Sequence, residues 1–252
     1  MSKPIYVHNE SIHAEDSPNE IVPALVQLFQ PKSVIDVGCG TGNFLKVFKQ
    51  LSVKEVLGID GDWVDRDLLA KNIDPASEFM VADLQKPLSF NRRFDLVMSL
   101  EVAEHLSPAA AESFVHNLTS LGDVIVFSAA IPNQGGQNHI NEQPVSYWEA
   151  LFAKKGFVLK DILRPYFWDN EKVFSWYKQN ITVYLHKDYK LPALPEHYSG
   201  KQIKDIVHPE LFNIKAKQLD RILYGHYPMT GYLKLLVKAI LSKSGIKKFD
   251  KQ

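Results

Sequence analysis

The stretch Glu101-Val102-Ala103-Glu104-His105 puts two carboxylates and an imidazole within five residues, and His139-Ile140-Asn141-Glu142 supplies a second imidazole further along. On a helix, Glu101, Glu104 and His105 stand at i, i+3 and i+4 and share a face. Carboxylate oxygens and imidazole nitrogens converging on one point suit a divalent cation such as Mg²⁺. The stretch His139–Glu142 makes a fourth ligand available. Without a metal, His105 or His139 is the natural general base for a hydroxyl. The candidate catalytic residues are His105, His139 and Glu101.

A second group of residues lies nearer the start of the chain. Val34-Ile35-Asp36-Val37-Gly38-Cys39-Gly40-Thr41-Gly42 reads as a buried strand running into a tight turn and a helix. Its glycines permit positive φ and let a ligand press against bare backbone. The dinucleotide pattern G-x-G-x-x-G would need a glycine at position 43, which is Asn43. Asp60 follows a second apolar run, 22 residues beyond Gly38, where a carboxylate can take both ribose hydroxyls of an adenosine ligand. Asp83 ends a third run, Phe79-Met80-Val81-Ala82. Three acids thus recur at successive strand ends, the edge where open α/β sheets hold their ligands.

Alternating strand and helix signals surround these residues. Strands are expected at 34–37, 55–59, 79–82, 94–100 and 123–129, followed by two late strands at 157–163 and 180–186. Helices are expected at 43–51, with Phe44, Val47, Phe48 and Leu51 inward, and at 64–71, 107–120 and 145–155. Ser107-Pro108 reads as an N-cap with proline at the first helical position, and Gly122 and Gly156 read as glycines just past helix ends. Ser17-Pro18 opens an earlier helix that Pro31 stops. Strands that are continuous Val/Ile/Leu runs are buried on both faces. The fold class is α/β: a Rossmann-like, seven-stranded, mostly parallel sheet with helices on both faces, plus a C-terminal appendage. Residues 1–33 are an N-terminal arm and helix, 34–186 the main domain, and 187–252 an irregular appendage that Pro192, Pro195, Pro209 and Pro228 interrupt, ending in a basic amphipathic helix.

The pattern D-x-G-x-G-x-G over Asp36–Gly42 resembles motif I of the class I S-adenosylmethionine (SAM) methyltransferases. That resemblance implies that Asp36 serves the ammonium of SAM, that Asp83 accepts from the adenine amino group, and that its neighbours wall the ring. The implied cofactor set is Asp36, Gly38, Gly40, Gly42, Asp60, Gly61, Ala82, Asp83, Leu84 and Leu100. An acidic crevice suits the sulfonium and ammonium of SAM better than a phosphate-rich dinucleotide. The E-x-x-E-H stretch resembles two metal-using groups, the small-RNA 2′-O-methyltransferases and the ubiquinone-biosynthesis O-methyltransferases, in which a cation grips two oxygens of a vicinal diol. That resemblance implies Glu101, Glu104, His105 and His139 as the metal ligands. The stretch from Ser99 to Phe157, with Phe127-Ser128-Ala129-Ala130-Ile131-Pro132 and Tyr147-Trp148, resembles a bacterial class I subgroup of unassigned substrate. That likeness runs from about residue 14 to 186, and Pro144 stands where members often carry Trp.

The implied function is SAM-dependent O-methylation of a hydroxyl on a small molecule or glycan. N-methylation and a non-catalytic SAM-binding regulatory role are the alternatives. Asn138, Asn141, Gln143 and Gln179 read as neutral groups for a polyol, and Tyr147, Trp148, Tyr166, Phe167, Trp168, Trp176 and Tyr177 as either a sugar or aromatic wall or plain core. The 252 residues carry 29 basic and 29 acidic side chains, which argues against an electrostatic nucleic-acid binder. A single cysteine, Cys39, fits a reducing cytoplasm. The first residues lack the apolar core of a signal peptide, and no run reaches the roughly 18 apolar residues of a span. Residues 231–252 hold six lysines and one acid. Leu233, Leu236, Val237, Ile240 and Leu241 share a helix face, with Lys234 and Lys238 at its edge and Lys247 and Lys248 beyond. This face is read either as docked on the domain or as a peripheral contact at the inner membrane face. The sequence leaves the oligomeric state open.

Overall fold

The computed structural model describes residues 16–190 and 205–243. The polar arm, Pro192, Pro195, Lys247 and Lys248 lie outside the described residues. The strands are β1 (Ser33–Val37), β2 (Glu55–Asp60), β3 (Phe79–Val81), β4 (Leu96–Leu100), β5 (Val124–Ser128), β6 (Phe157–Lys160) and β7 (Thr182–His186). The helices are α1 (Asp16–Phe29), α2 (Asn43–Gln50), α3 (Arg66–Ala70), α4 (Ala111–Leu121), α5 (Val145–Lys154), α6 (Leu163–Phe167), α7 (Ser175–Asn180), α8 (Pro209–Leu223) and α9 (Met229–Lys243).

One seven-stranded sheet runs in the order β3-β2-β1-β4-β5-β7-β6. The first five strands are parallel, and β7 inserts antiparallel between β5 and β6. The order reverses at β1 and β4, whose carboxyl ends carry the glycine loop and Glu101.

Strand alternation explains the double-sided core. Val34, Val124 and Val126 face one layer with Leu25 of α1 and Phe48 of α2. Their neighbours Ile35, Ile125 and Phe127 face the other with Phe114 of α4 and Trp148 and Phe152 of α5. Burying each such side chain contributes about 1.5–3 kcal/mol before entropy is counted. Trp148 and Phe167 are fully buried, so for these two aromatics the core reading holds.

Several local expectations differ from the structure. β4 starts two residues late because Asp95 turns its carboxylate back to the amides of Lys32 (2.8 Å) and Ser33 (3.0 Å), replacing the ladder there. β6 stops at Lys160, where Asp161 takes the Arg164 guanidinium (2.8 and 2.7 Å) in a buried pair that starts α6. On α2 Leu45, rather than Phe44 or Leu51, joins Val47 and Phe48 in the core. Gly156 is left-handed (φ +82°), whereas Gly122 is extended, and a Cβ there would lie 2.8 Å from the Phe94 carbonyl oxygen. Close strand approach, not a helix cap, requires that glycine. Ser107 precedes a 3₁₀ turn, Pro108–Ala110, and its hydroxyl makes no cap bond.

The appendage is also more regular than its prolines suggest. Pro209 is the first residue of α8 rather than a breaker, because its missing N–H falls where helices have no acceptor for one. The His208 ring accepts from Glu210 N and caps the same end. Among the described residues no helix is long and apolar enough to cross a membrane.

Candidate active site

The glycine loop is fixed by β2. Gly38 N and Cys39 N both donate to the Ile59 carbonyl, at 2.7 and 3.1 Å. Gly38 holds φ +89°, and a Cβ on it would stand 2.3 Å from Val102 Cγ2. Gly38→Ala is expected to lower the melting temperature by roughly 2–4 °C per kcal/mol of strain and clash. Adding Val102→Ala should recover only the clash component, and scanning calorimetry on the three proteins separates the two.

Asp60 is the structural hinge of the loop. Its Oδ2 accepts from Gly40 N (2.8 Å) and its Oδ1 from Gly61 N (2.7 Å). Each oxygen keeps a lone pair, the equipment for a pair of vicinal hydroxyls. Burial raises its pKa against these two amide bonds and Arg66. Asp36 is buried in β1, and its carboxylate accepts no hydrogen bond from the described residues. Burial, helped by the Asp60 charge, pushes it well above the usual carboxylate range. A buried carboxylate without a donor is what an incoming ammonium would satisfy. Leu84 and Leu100 are buried nearby strand-end residues, and Ala82 donates its N–H to Asp60 O at 2.9 Å. Asp83 sits on the exposed rim, where it accepts from Gln85 N (3.1 Å) and pairs with Lys86 (3.2 Å). The indole of Trp63 lies against Gly61, within 2.2 Å of where a Cβ would be, a wall that the sequence reading missed.

Beyond β4 the chain does not turn α-helical. Glu101 is left-handed (φ +55°), and only Ala103–His105 form a 3₁₀ turn. The expected shared helix face is therefore absent. Glu101 N is held by the Ser128 carbonyl (3.0 Å) and hydroxyl (3.0 Å). Its carboxylate accepts from Gln134 Nε2 (3.1 Å) and Asn180 Nδ2 (3.0 and 3.2 Å). Neutral amides thus occupy Glu101, against its reading as a metal ligand. The tight turn nevertheless brings the other three together: one ligand atom each of Glu104, His105 and His139 lie within 4.8 Å of one another.

The loop carrying His139 is stitched onto that turn. Ile140 N and Asn141 N both donate to the Glu104 carbonyl, at 2.9 and 3.0 Å. Both Glu104 carboxylate oxygens are buried and make no well-formed hydrogen bond among the described residues, although the Glu104 and Ala130 amides and the Glu101 carboxyl group lie close to them. Burial first, then the Glu101 charge, pushes Glu104 well above its ordinary range. Burial and His139 bring His105 down to about 4, so its imidazole is neutral near pH 7. The two rings meet edge to face at 4.9 Å.

Glu142 organises this loop, a role that the sequence reading did not assign. Its Oε1 accepts from Gly135 N (2.6 Å) and faces His139 Nδ1 at 3.0 Å, and its Oε2 accepts from Asn133 N (2.7 Å). In the tautomer whose Nδ1–H donates to this carboxylate, Nε2 keeps a lone pair. The signal was present as the i, i+3 spacing from His139. Asn180 and Gln134 reach Glu101 from distant elements, and no local spacing announces them. The polyol reading of the neutral amides is corrected at two positions. Asn141 is buried and turned to Ala103 O (3.4 Å), and Gln179 donates to Ile206 O (2.6 Å).

Residues 11–128 match the family model described as a methyltransferase domain. That stretch runs from α1 through the glycine loop to β5, so the part of the chain that is similar to a methyltransferase domain is the part that carries the loop and the turn after β4. Protein 235L of Invertebrate iridescent virus 6, whose name places it among the methyltransferases, is 28% identical over 132 residues, 51% of this chain and 49% of that protein. The chain therefore matches about half the length of that relative. SAM-bound CalS10, an amino pentose methyltransferase from Micromonospora echinaspora, superposes with a TM-score of 0.53 at 14% identity, over 74% of this chain and 100% of its own. An O-methyltransferase family protein from Burkholderia thailandensis does so at 0.51 and 14% identity, over 68% of this chain and 57% of its own. At these identities the likeness is one of fold.

Proposed function

We propose that the chain transfers the methyl group of SAM to a hydroxyl of a small molecule or glycan, and that Glu104, His105 and His139 hold a divalent cation at the acceptor. The observation that carries the cation reading is Glu104: two buried carboxylate oxygens that make no well-formed hydrogen bond, beside two imidazoles of which His105 is neutral. Carboxylate and neutral imidazole are a donor set for Mg²⁺, Mn²⁺ or a similar ion. A bound cation would lower the pKa of the acceptor hydroxyl.

The chain's own residues supply the rest. Asp60 accepts the ribose hydroxyls, Asp36 faces the ammonium, and the bare backbone of the glycine loop allows close approach. A sulfonium methyl is already electrophilic, so aligning the acceptor and removing one proton are the main tasks. In this reading His139, oriented through Glu142, takes that proton if it is not engaged as a ligand. Titration of the purified protein with Mn²⁺, read by electron paramagnetic resonance, tests the cation. S-adenosylhomocysteine release against a panel of sugars and phenols, with and without EDTA, tests the acceptor class. Retention of full turnover in EDTA would remove the metal and leave the base.

The positioning role of Glu142 has its own test. Glu142→Gln is expected to cost roughly 10–100-fold in Mn²⁺ affinity or turnover. SAM affinity should stay unchanged, because the glycine loop is untouched. An equal loss in both affinities would mean that the substitution simply loosens the fold.

A further inference from the structure

The two C-terminal helices form an arm with one anchored end. At its root Leu211 is buried, Lys178 pairs with Glu210 at 2.7 Å, and the His208 ring lies 2.8 Å from Trp168 O. Lys215 Nζ stands 3.0 Å from the position of a Cβ on Gly135, so α8 passes beside the His139 loop. Further out, Phe212, Leu219 and Leu223 on α8 are 63, 55 and 65% exposed. On α9 Met229, Leu233, Leu236, Val237 and Ile240 follow at i, i+4, i+7, i+8 and i+11, with exposures of 83, 61, 57, 46 and 57%. They form one uncovered apolar stripe. Tyr232, at the edge of the stripe beside Met229 and Leu236, donates its hydroxyl to Ile222 O (2.7 Å) and ties the start of α9 to the end of α8.

We propose that this arm is an interfacial anchor that lays α9 into an anionic lipid surface. Charge selects the occupant. α9 holds Lys234 and Lys238 on its polar side and no acid, so it complements an anionic surface and offers a second copy of itself no opposite charge. An aliphatic stripe flanked by lysine is the pattern that buries in the acyl boundary while cations meet lipid phosphates. Tyr224 and Tyr227 at the α8–α9 turn are 73 and 37% exposed, and amphipathic rings favour the headgroup level. Because the arm roots beside the His139 loop, docking would bring the candidate site close to the membrane plane. The anchor stands whether or not the acceptor proves to be a hydroxyl.

The test is flotation of the full chain with vesicles of phosphatidylcholine alone or with one quarter phosphatidylglycerol. Recovery with the anionic vesicles and at least tenfold less with the neutral ones is expected. Leu236→Glu combined with Ile240→Glu should abolish recovery without moving the melting temperature. Lys234→Gln with Lys238→Gln should weaken anionic binding roughly 30-fold, about 1 kcal/mol per charge. Failure to float with either vesicle would overturn the proposal, as would equal binding to both. A concentration-dependent dimer that Leu236→Glu dissociates would do the same, by assigning the stripe to a second copy.

Discussion

Glu104→Gln is expected to abolish Mn²⁺ binding and cut methyl transfer by a factor on the order of 10²–10⁴, while raising the thermal stability of the ligand-free protein. The substitution keeps the shape of the side chain and the backbone carbonyl that anchors Ile140 and Asn141. It removes a charge that burial and Glu101 oppose. Stability and function should therefore move in opposite directions. Calorimetric Mn²⁺ titration and differential scanning calorimetry on the same preparation give both readings. A variant that binds the ion as the parent does would remove Glu104 from the ligand set. A variant that loses stability would mean that the carboxylate is satisfied in the resting fold.

Asp36→Asn should behave in the same way at the cofactor end. S-adenosylhomocysteine binding is expected to weaken by roughly 100-fold, because a buried charge partner of the ammonium is lost. The ligand-free fold should gain about 0.5–2 kcal/mol. The pH dependence follows from the raised Asp36 pKa. Between the unfolded carboxyl pKa and that raised value, the folded protein binds a proton that the unfolded chain has released. Its stability therefore falls as pH rises through the window. Asp36→Asn removes that share of the slope, leaving those of Asp60, Glu101 and Glu104. Melting curves at pH 5, 6, 7 and 8 should show a flatter dependence in the variant. An unchanged slope would show that Asp36 stays ionised in the fold.

The shape of the glycine loop was legible because its features are local in sequence. The strand run of β1, the alternate glycines and Asp60 at the end of β2 each announce a backbone shape within a few residues. The sheet was legible for a related reason: strands apolar on both faces can belong only between two helical layers. The turn after β4 was less so. The left-handed turn at Glu101 leaves no mark in Glu-Val-Ala-Glu-His, since it depends on Ser128 of the neighbouring strand holding the amide. The amides on Glu101 come from Gln134 and Asn180, brought in by a loop and by α7. Pro209 shows the converse error, in which a residue that interrupts helices in their interior also begins them.

The short helix α7 sets where this chain could be recombined with others. Asn180 at its end holds Glu101, while Gln179 and Lys178 just before it hold Ile206, the His208 amide and Glu210. A junction drawn in the stretch after residue 187, where composition changes, would strip the buried Gln179 amide of both partners three residues before β7, the strand that joins β6 to the rest of the sheet. The natural seam lies later, past Leu211. A chimera that keeps the native chain to that point inherits the whole tether, and only the outward-facing turns of the arm are then free to be exchanged.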